Sequence, residues 1–370
     1  MATAIEQRLR EKAKRALRER QGLRAAKTDD IFTRRCLIGP DDLFIENYPR
    51  KRPLAAFNPG AVLVREKVYI FPRLIFDYYS YTSSVGVFEV PVEELLSGEV
   101  KSPLRTKIIL WPEKVWEAVK GCEDPRVCPA QAGFHVLYTG VGKHEEDGKE
   151  VHKSVLGFAE LSKDFKVTRK GFFSVVGPDG VWVPSNKDSA FIAVEGTKAS
   201  LLTRPSFEEI PNRGLGPLLN LLKLELPKKV PDMCWRAEAD LGSLAIPEET
   251  LEPVLVPEPW EYKVGWSTNT IRLSENEYLV GWHGVLREDL SYRDGLALVD
   301  GEGNLLAVSD YLLAPKGLWE EYGDRPLVIF GDGLLRYKDY LIWIGGVSDY
   351  CIGVFITELN EALAKLKRTK

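Results

Sequence analysis

Along most of the chain, apolar side chains alternate with polar ones or run in short β-branched and aromatic blocks, and Gly, Pro or Asp interrupts them every few residues. A period of two with such punctuation predicts strands joined by tight turns. Helical spacing is confined to the ends and to two short stretches. Residues 1–27 contain no Pro and one Gly, and apart from Met1 their only large apolar side chains are Ile5, Leu9, Leu17 and Leu23, the thin stripe of an amphipathic helix. Such an arm either packs on a neighbouring subunit, closes over a site, or stands as a solvated tail. The closing ITELNEALAKLKRTK predicts a short amphipathic helix with basic residues in its last turn, where the helix dipole favours them. PEKVWEAVKG and GLGPLLNLLKLE are the other helix candidates.

Between the ends one plan recurs, in which a polar or Gly-containing turn leads into a strand, a tight turn and a second strand. It appears in FNPGAVLVREKVYIFPR (57–73), EDPRVCPAQAGFHVLYTG (123–140), NKDSAFIAVEGTKASLLTR (186–204), NTIRLSENEYLVGWHG (269–284) and GDGLLRYKDYLIWIGG (331–346). VGVFEVPV, VLGFAELSKDF and DGLALVD read as a further strand in three of the units. Five units of about 65 residues fit an all-β, five-bladed β-propeller, with a pair of β-sandwiches as the alternative. The expected organisation is a basic helical arm (1–30), the propeller as catalytic domain (31–359) and a helical tail (360–370). In a propeller the turns leading into the innermost strands crowd the axis, so polar residues far apart in sequence meet there.

Charge and composition narrow the function. The chain carries a net charge of −4, but nine basic and three acidic residues in the first 27 give the arm +6 and leave −10 for the rest. No global basic field is present to hold a nucleic acid. No apolar run approaches a membrane span and no secretory signal opens the chain, so a cytoplasmic location is expected. Five scattered cysteines (Cys36, Cys122, Cys128, Cys234 and Cys351) indicate buried thiols rather than a disulfide framework or zinc site. The four histidines lack metal-ligand spacing, and no phosphate-binding glycine motif occurs. No metal or organic cofactor is expected.

At equivalent points of the five units stand Asn58 with Arg73, Glu123 with Asp124 and Arg126, Lys187 with Asp188 and Arg204, Lys263 with His283, and Asp349. Together with their surroundings, FNPGAV, GCEDPRV, NKDSAF with LLTRP, WEYKVGW with GWHGV, YRDGLALVD, and GDGLL with GGVSDY, they resemble in order the motifs of glycoside hydrolase family 130, the β-mannoside phosphorylases and related mannosidases. The resemblance runs from about Phe32 to Leu359.

The resemblance implies inverting phosphorolysis of a β-mannoside, giving α-mannose 1-phosphate and a shortened sugar, with inorganic phosphate as co-substrate. It makes Asp124 the general acid. Glu123 next door and an enclosed funnel are expected to keep that carboxyl protonated, with Arg126 bracing the turn. Lys187, Arg204, Lys263 and His283, with Tyr292, become the phosphate-binding set, as an anion surrounded by cationic donors requires. Asn58, Arg73, Glu123, Asp188 and Asp349 become the sugar-binding groups, with Tyr78, Tyr79, Trp266 and Trp282 available to stack on sugar rings. A homo-oligomer formed through the arm is a further expectation. The alternatives are a β-mannosidase using Glu261, Glu321 or Asp188 as base, and a non-catalytic carbohydrate-binding propeller.

Overall fold

The computed structural model describes residues 3–146, 148–207 and 230–369; the helix expected in GLGPLLNLLKLE falls outside them. Each repeated segment is an antiparallel hairpin: Ala55–Val64 with Lys67–Ile75, Gly121–Ala130 with Gly133–Glu146, Ser185–Glu195 with Lys198–Ser206, Ile271–Ser274 with Glu277–Leu286, and Ile329–Tyr337 with Tyr340–Val347. A third strand continues each one: Ser83–Pro91, Lys149–Ser162, Cys234–Asp240, Tyr292–Val299 and Cys351–Glu358. The protein is therefore mostly β, and all three predicted third strands form.

The first two units share a nine-stranded sheet, its two halves joined in the ladder by a parallel bridge between Ser83 and Gly121. Gly121 has φ 84°, and a Cβ on it would fall 2.0 Å from the Ser83 carbonyl oxygen, so the close approach requires glycine. The last sheet is four-stranded and takes its edge from the start of the chain, where Thr33–Ile38 pairs antiparallel with Cys351–Glu358. Leading strands of successive units touch one another: first with second, second with third, third with Glu261–Trp266 of the fourth, the fourth with the fifth, and the fifth with the first.

These leading strands are buried on both faces over most of their length, which removes the alternation seen in half-exposed strands. Their register slips at Phe57/Gly60, Glu123/Arg126, Lys187/Ala190 and Phe330/Gly333, a β-bulge in each. In the fourth unit the leading strand is interrupted between Glu261–Trp266 and Ile271–Ser274. The bulges put Asn58, Asp124 and Asp188 at φ 43°, 51° and 51°, a left-handed region that Asn and Asp tolerate better than other side chains.

The arm is helical over Ala4–Glu19, with the Thr3 hydroxyl accepting from the Glu6 amide. Ile5, Leu9, Ala13 and Ala16 are buried against the strands Gly180–Trp182 and Glu252–Leu255, so the apolar stripe lies on its own chain and is not a solvated tail. Arg8 pairs with Glu248 and Asp179, each at 2.6 Å. Beyond the helix, Glu258 accepts the amides of Gly22, Leu23 and Arg24. PEKVWEAVKG yields only a single 3₁₀ turn at Val115–Glu117. The tail is helical over Leu359–Ala364 but not to its end, because Lys367–Arg368 joins the edge of the fourth sheet.

Candidate active site

Asp124 sits on the bulge of the second leading strand, where its backbone turn directs the side chain toward the first unit. Asn58 Nδ2 donates to Asp124 Oδ1 at 3.0 Å, and Arg73 Nη1 donates to the same oxygen at 3.1 Å. Arg73 Nη2 reaches Glu123 Oε1 at 2.9 Å, and Lys187 Nζ reaches Glu123 Oε2 at 3.1 Å. Burial pushes the Asp124 carboxyl upward, but Arg73, Lys187, Arg126 and the Asn58 hydrogen bond outweigh it and hold Asp124 below the usual carboxylate range. The direction is opposite to the one expected from Glu123 and an enclosed funnel. Adjacent in sequence, Glu123 is absorbed by two cations, and those cations stabilise the ionised form of its neighbour. Asp349 at φ 51° faces the same group; burial raises its carboxyl to about 6, with Arg73 opposing and Asp124 adding to the rise.

The third and fourth units supply a second cluster. Arg204 Nε lies 2.5 Å from Asp188 Oδ2 and its Nη1 2.6 Å from Asp232 Oδ2. His283 Nε2 is 3.7 Å from Asp188 Oδ2, the His283 ring stacks on Tyr292 with centroids 5.3 Å apart, and Lys263 Nζ lies 5.6 Å from the centroid of Tyr292. Burial holds His283 well below the usual imidazole range; Asp188 opposes this, while Lys263, Arg204 and Arg126 reinforce it. No carboxylate approaches Lys263 within 4.0 Å among the described residues. Gly265 leaves room here, since a Cβ would fall 2.4 Å from Asp188 Oδ2 and 2.6 Å from His283 Cε1.

Arg126 joins the clusters. It donates from Nη1 to the carbonyl of Asp124 at 3.0 Å and from Nε to the carbonyl of Ser267 at 2.8 Å, and its Nη2 stands 3.6 Å from Asp188 and 2.8 Å from Asp332. It braces the acid's turn, as expected from its place in the motif. The residues predicted as acid, phosphate ligands and polar sugar ligands thus gather into two linked groups. Lys187, expected among the phosphate ligands, points to the acid group through Glu123.

Several other readings change. Trp266 and Trp282 are fully buried, their indole N–H groups bonded to the carbonyls of Trp235 and Leu296, so neither can stack on a ligand. Tyr78 and Tyr79 are exposed. Glu261 is sealed in the core with Arg24, Nη2 to Oε2 2.5 Å, and accepts from the Tyr311 hydroxyl. Glu321 accepts the Gly317 amide at 3.0 Å. Sequence reasoning missed Asp232, Asp332, Ser267, Asp294 and Tyr81, whose hydroxyl donates to Asp324 Oδ2 at 2.6 Å. Cys122, Cys234 and Cys351 are buried, Cys36 and Cys128 half-buried, and all five are free thiols. A cavity of about 330 Å3 lies beyond Arg126 along the leading strands, lined by Val127, Phe191, Ile192, Thr270 and Tyr278; it contains neither Asp124 nor the cation cluster.

The family model of glycoside hydrolase family 130, described as beta-1,4-mannooligosaccharide phosphorylase, matches residues 22–205 and 229–368. A 1,2-beta-oligomannan phosphorylase of Thermoanaerobacter sp. (strain X514) is 24% identical over 249 residues, which cover 66% of this chain and 71% of that one. Among solved structures, the beta-1,2-mannobiose phosphorylase of Listeria innocua in complex with beta-1,2-mannobiose is similar at TM-score 0.63 and 18% identity, covering 89% of this chain and 96% of that one. A mannose phosphorylase of Leishmania mexicana in complex with a phosphate ion is similar at TM-score 0.55 and 12% identity, covering 100% and 98%. At those identities the structural likeness is one of fold. With the family match extending across all five hairpin units, this chain belongs to glycoside hydrolase family 130.

Proposed function

We propose that the protein is an inverting β-mannoside phosphorylase, built as a five-bladed β-propeller with the hairpin units as blades, and that it acts on mannose-containing oligosaccharides with inorganic phosphate. The observation that carries this reading is Arg126, which bonds to the backbone of Asp124 and lies 3.6 Å from Asp188 in the cation cluster. The acid and the cations therefore belong to one buried network at the bulges of neighbouring units.

In the proposed reaction a phosphate oxygen attacks the anomeric carbon of the bound mannosyl unit from the face opposite the leaving group. The C1–O bond to the departing sugar breaks as the C1–O bond to phosphate forms, which inverts the configuration. The bonding pair stays on the leaving oxygen, which takes the proton of Asp124 through a hydroxyl of the sugar. Lys263, Arg204, His283 and Tyr292 hold the phosphate, with Lys187 between it and the acid. Asn58, Arg73 and Asp349 meet mannosyl hydroxyls, and Glu123 and Asp188 fix the cations. Asn58 Oδ1 is buried and has no partner among the described residues, which suits it to accept from a hydroxyl. Asp124 is held below the usual carboxylate range in the free site, so its affinity for a proton must rise as substrates bind. A phosphate dianion drawing on the same cations, and a sugar that displaces water, both raise its affinity for a proton.

Phosphate needs no activating base, whereas an inverting hydrolase requires a carboxylate free to act on water. Asp188, Glu261 and Glu321 are each already bonded elsewhere, which favours phosphorolysis. The test is incubation with β-1,2- and β-1,4-linked mannobiose and mannotriose, with and without phosphate, following products by NMR. Phosphate-dependent α-mannose 1-phosphate is expected; mannose released at the same rate without phosphate would overturn the reading.

A further inference from the structure

His283 is 1% exposed, and its two ring nitrogens meet different neighbours. Nε2 faces Asp188 Oδ2 across 3.7 Å, on the side left open by Gly265. Nδ1 lies 3.0 Å from Ser267 Oγ. Ser267 sits in the interruption of the fourth leading strand, held by its amide on the Gly281 carbonyl at 2.8 Å and by Arg126 on its own carbonyl. Behind it, Ser267 Oγ is 3.4 Å from Asp294 Oδ1. Asp294 lies directly opposite His283 in the strand register, is 0% exposed, and leaves Oδ2 without a partner among the described residues.

We propose that Ser267 and Asp294 are positioning residues for His283, fixing the neutral imidazole as the tautomer with its proton on Nε2, so that an uncharged N–H donor faces the anion side of the site. The inference rests on reading the cation cluster as the phosphate site.

One hydroxyl proton on Ser267, and the lack of a partner for a proton on Asp294 Oδ2 among the described residues, leave two arrangements. In the first, Asp294 is ionised, Ser267 donates to it, and His283 Nδ1–H donates to Ser267; the bare Nε2 lone pair then faces the Asp188 carboxylate. In the second, Asp294 is neutral and donates to Ser267, Ser267 donates to Nδ1, and Nε2–H faces Asp188.

Two observations select the second. Asp294 is fully enclosed with no cation in ion-pair contact among the described residues, and one long hydrogen bond poorly compensates a buried carboxylate. Burial indeed pushes its carboxyl well above the usual range, against Ser267 and Arg293. An N–H toward Asp188 is also attractive where a lone pair would be repelled. A doubly protonated ring is disfavoured by its burial and by Lys263, Arg204 and Arg126 nearby. A neutral donor adds a hydrogen bond to an anion without adding a fourth positive charge to that group, and the tautomer is set by the partner of the other nitrogen.

The test is the side-chain ¹⁵N spectrum of histidine-labelled protein, with His283 identified by the signal lost in His283→Gln. The expected result is the Nε2–H tautomer in the wild type, with and without inorganic phosphate. Ser267→Ala and Asp294→Val should admit the Nδ1–H form and raise the KM for phosphate tenfold or more, leaving the KM for mannoside within about twofold. Asp294→Asn, which keeps an N–H donor toward Ser267, should restore both readouts. An Nδ1–H or imidazolium signal in the wild type would overturn the proposal even if no variant folds, as would an unchanged tautomer in Ser267→Ala. A tautomer that shifts while the KM for phosphate stays constant supports the relay and counts instead against the phosphate site.

Discussion

Arg126 Nη2 stands 2.8 Å from Asp332 Oδ1, with the two side chains 3% and 0% exposed. A guanidinium of the second unit thus lies against a carboxyl of the fifth, which burial pushes well above the usual range with Arg126 opposing, while its other nitrogens hold backbone of the second and fourth. Removing the cation leaves Asp332 and Asp188 buried together. Arg126→Met should lower stability by about 3–5 kcal/mol, the usual consequence of stranding a buried charge, and adding Asp332→Leu should recover part of it. Urea unfolding of the three proteins measures both effects.

Asp124→Asn should fold normally, because Asn is equally at ease at φ 51° and can still accept from Arg73. It should lose turnover by roughly 10²–10⁴-fold, the range associated with a general acid. Initial rates of phosphorolysis, alongside a circular dichroism melt, check the two halves of this expectation. Unchanged rates would remove Asp124 from the chemistry.

Lys263 is the member of the cation cluster with no carboxylate within 4.0 Å among the described residues, and so the one most free to take up an anion. Lys263→Met should raise the KM for phosphate by about 10–100-fold, corresponding to the loss of a charge-assisted hydrogen bond of about 1.5–3 kcal/mol. The KM for the mannoside should barely move. Steady-state kinetics varying one substrate at a time separates these.

Asp349 ties stability to pH. Its carboxyl is raised from 3.8 to about 6, mainly by burial, so the folded state binds a proton that the unfolded chain releases earlier. That contribution is complete below 3.8 and is lost as pH rises through about 6. Asp349→Asn should therefore be more stable than wild type at pH 7.5, by at most roughly 3 kcal/mol, with the difference shrinking toward pH 5. Chemical denaturation at several pH values tests the slope; parallel curves for the two proteins would contradict it.

Arg24 anchors the arm, pairing with the fully buried Glu261 and lying 4.3 Å from the Trp282 ring centroid. Arg24→Met should lower stability by about 3 kcal/mol through the stranded carboxylate, whereas Arg8→Met, whose side chain is 43% exposed, should change it by less than about 1 kcal/mol. Thermal melts of the two variants give the comparison.

The five hairpins were legible because turn residues and β-branched runs announce themselves locally. The motif residues on the bulges were equally visible, since Asn58-Pro59, Asp124-Pro125 and Asp188-Ser189 carry turn chemistry within apparent strands. What stayed hidden was partnership. Nothing in VGWSTNT marks Ser267 as the residue beside His283, because that contact arises only when the fourth leading strand pairs with Glu277–Leu286. The direction in which the site shifts Asp124 was misread for a similar reason: Glu123 adjoins it in sequence, whereas Arg73 arrives from another unit. Trp266 and Trp282 were misplaced because a strand buried on both faces lacks the alternation that tells inside from outside.

Because Thr33–Ile38 completes the sheet built by Cys351–Glu358, its pairing must wait until a strand made much later in the chain is available. Every nascent intermediate carries an open seam with bare backbone donors and acceptors on both lips. A product truncated near its C-terminus would therefore keep that seam permanently, offering two adhesive edges to other chains instead of merely lacking a piece.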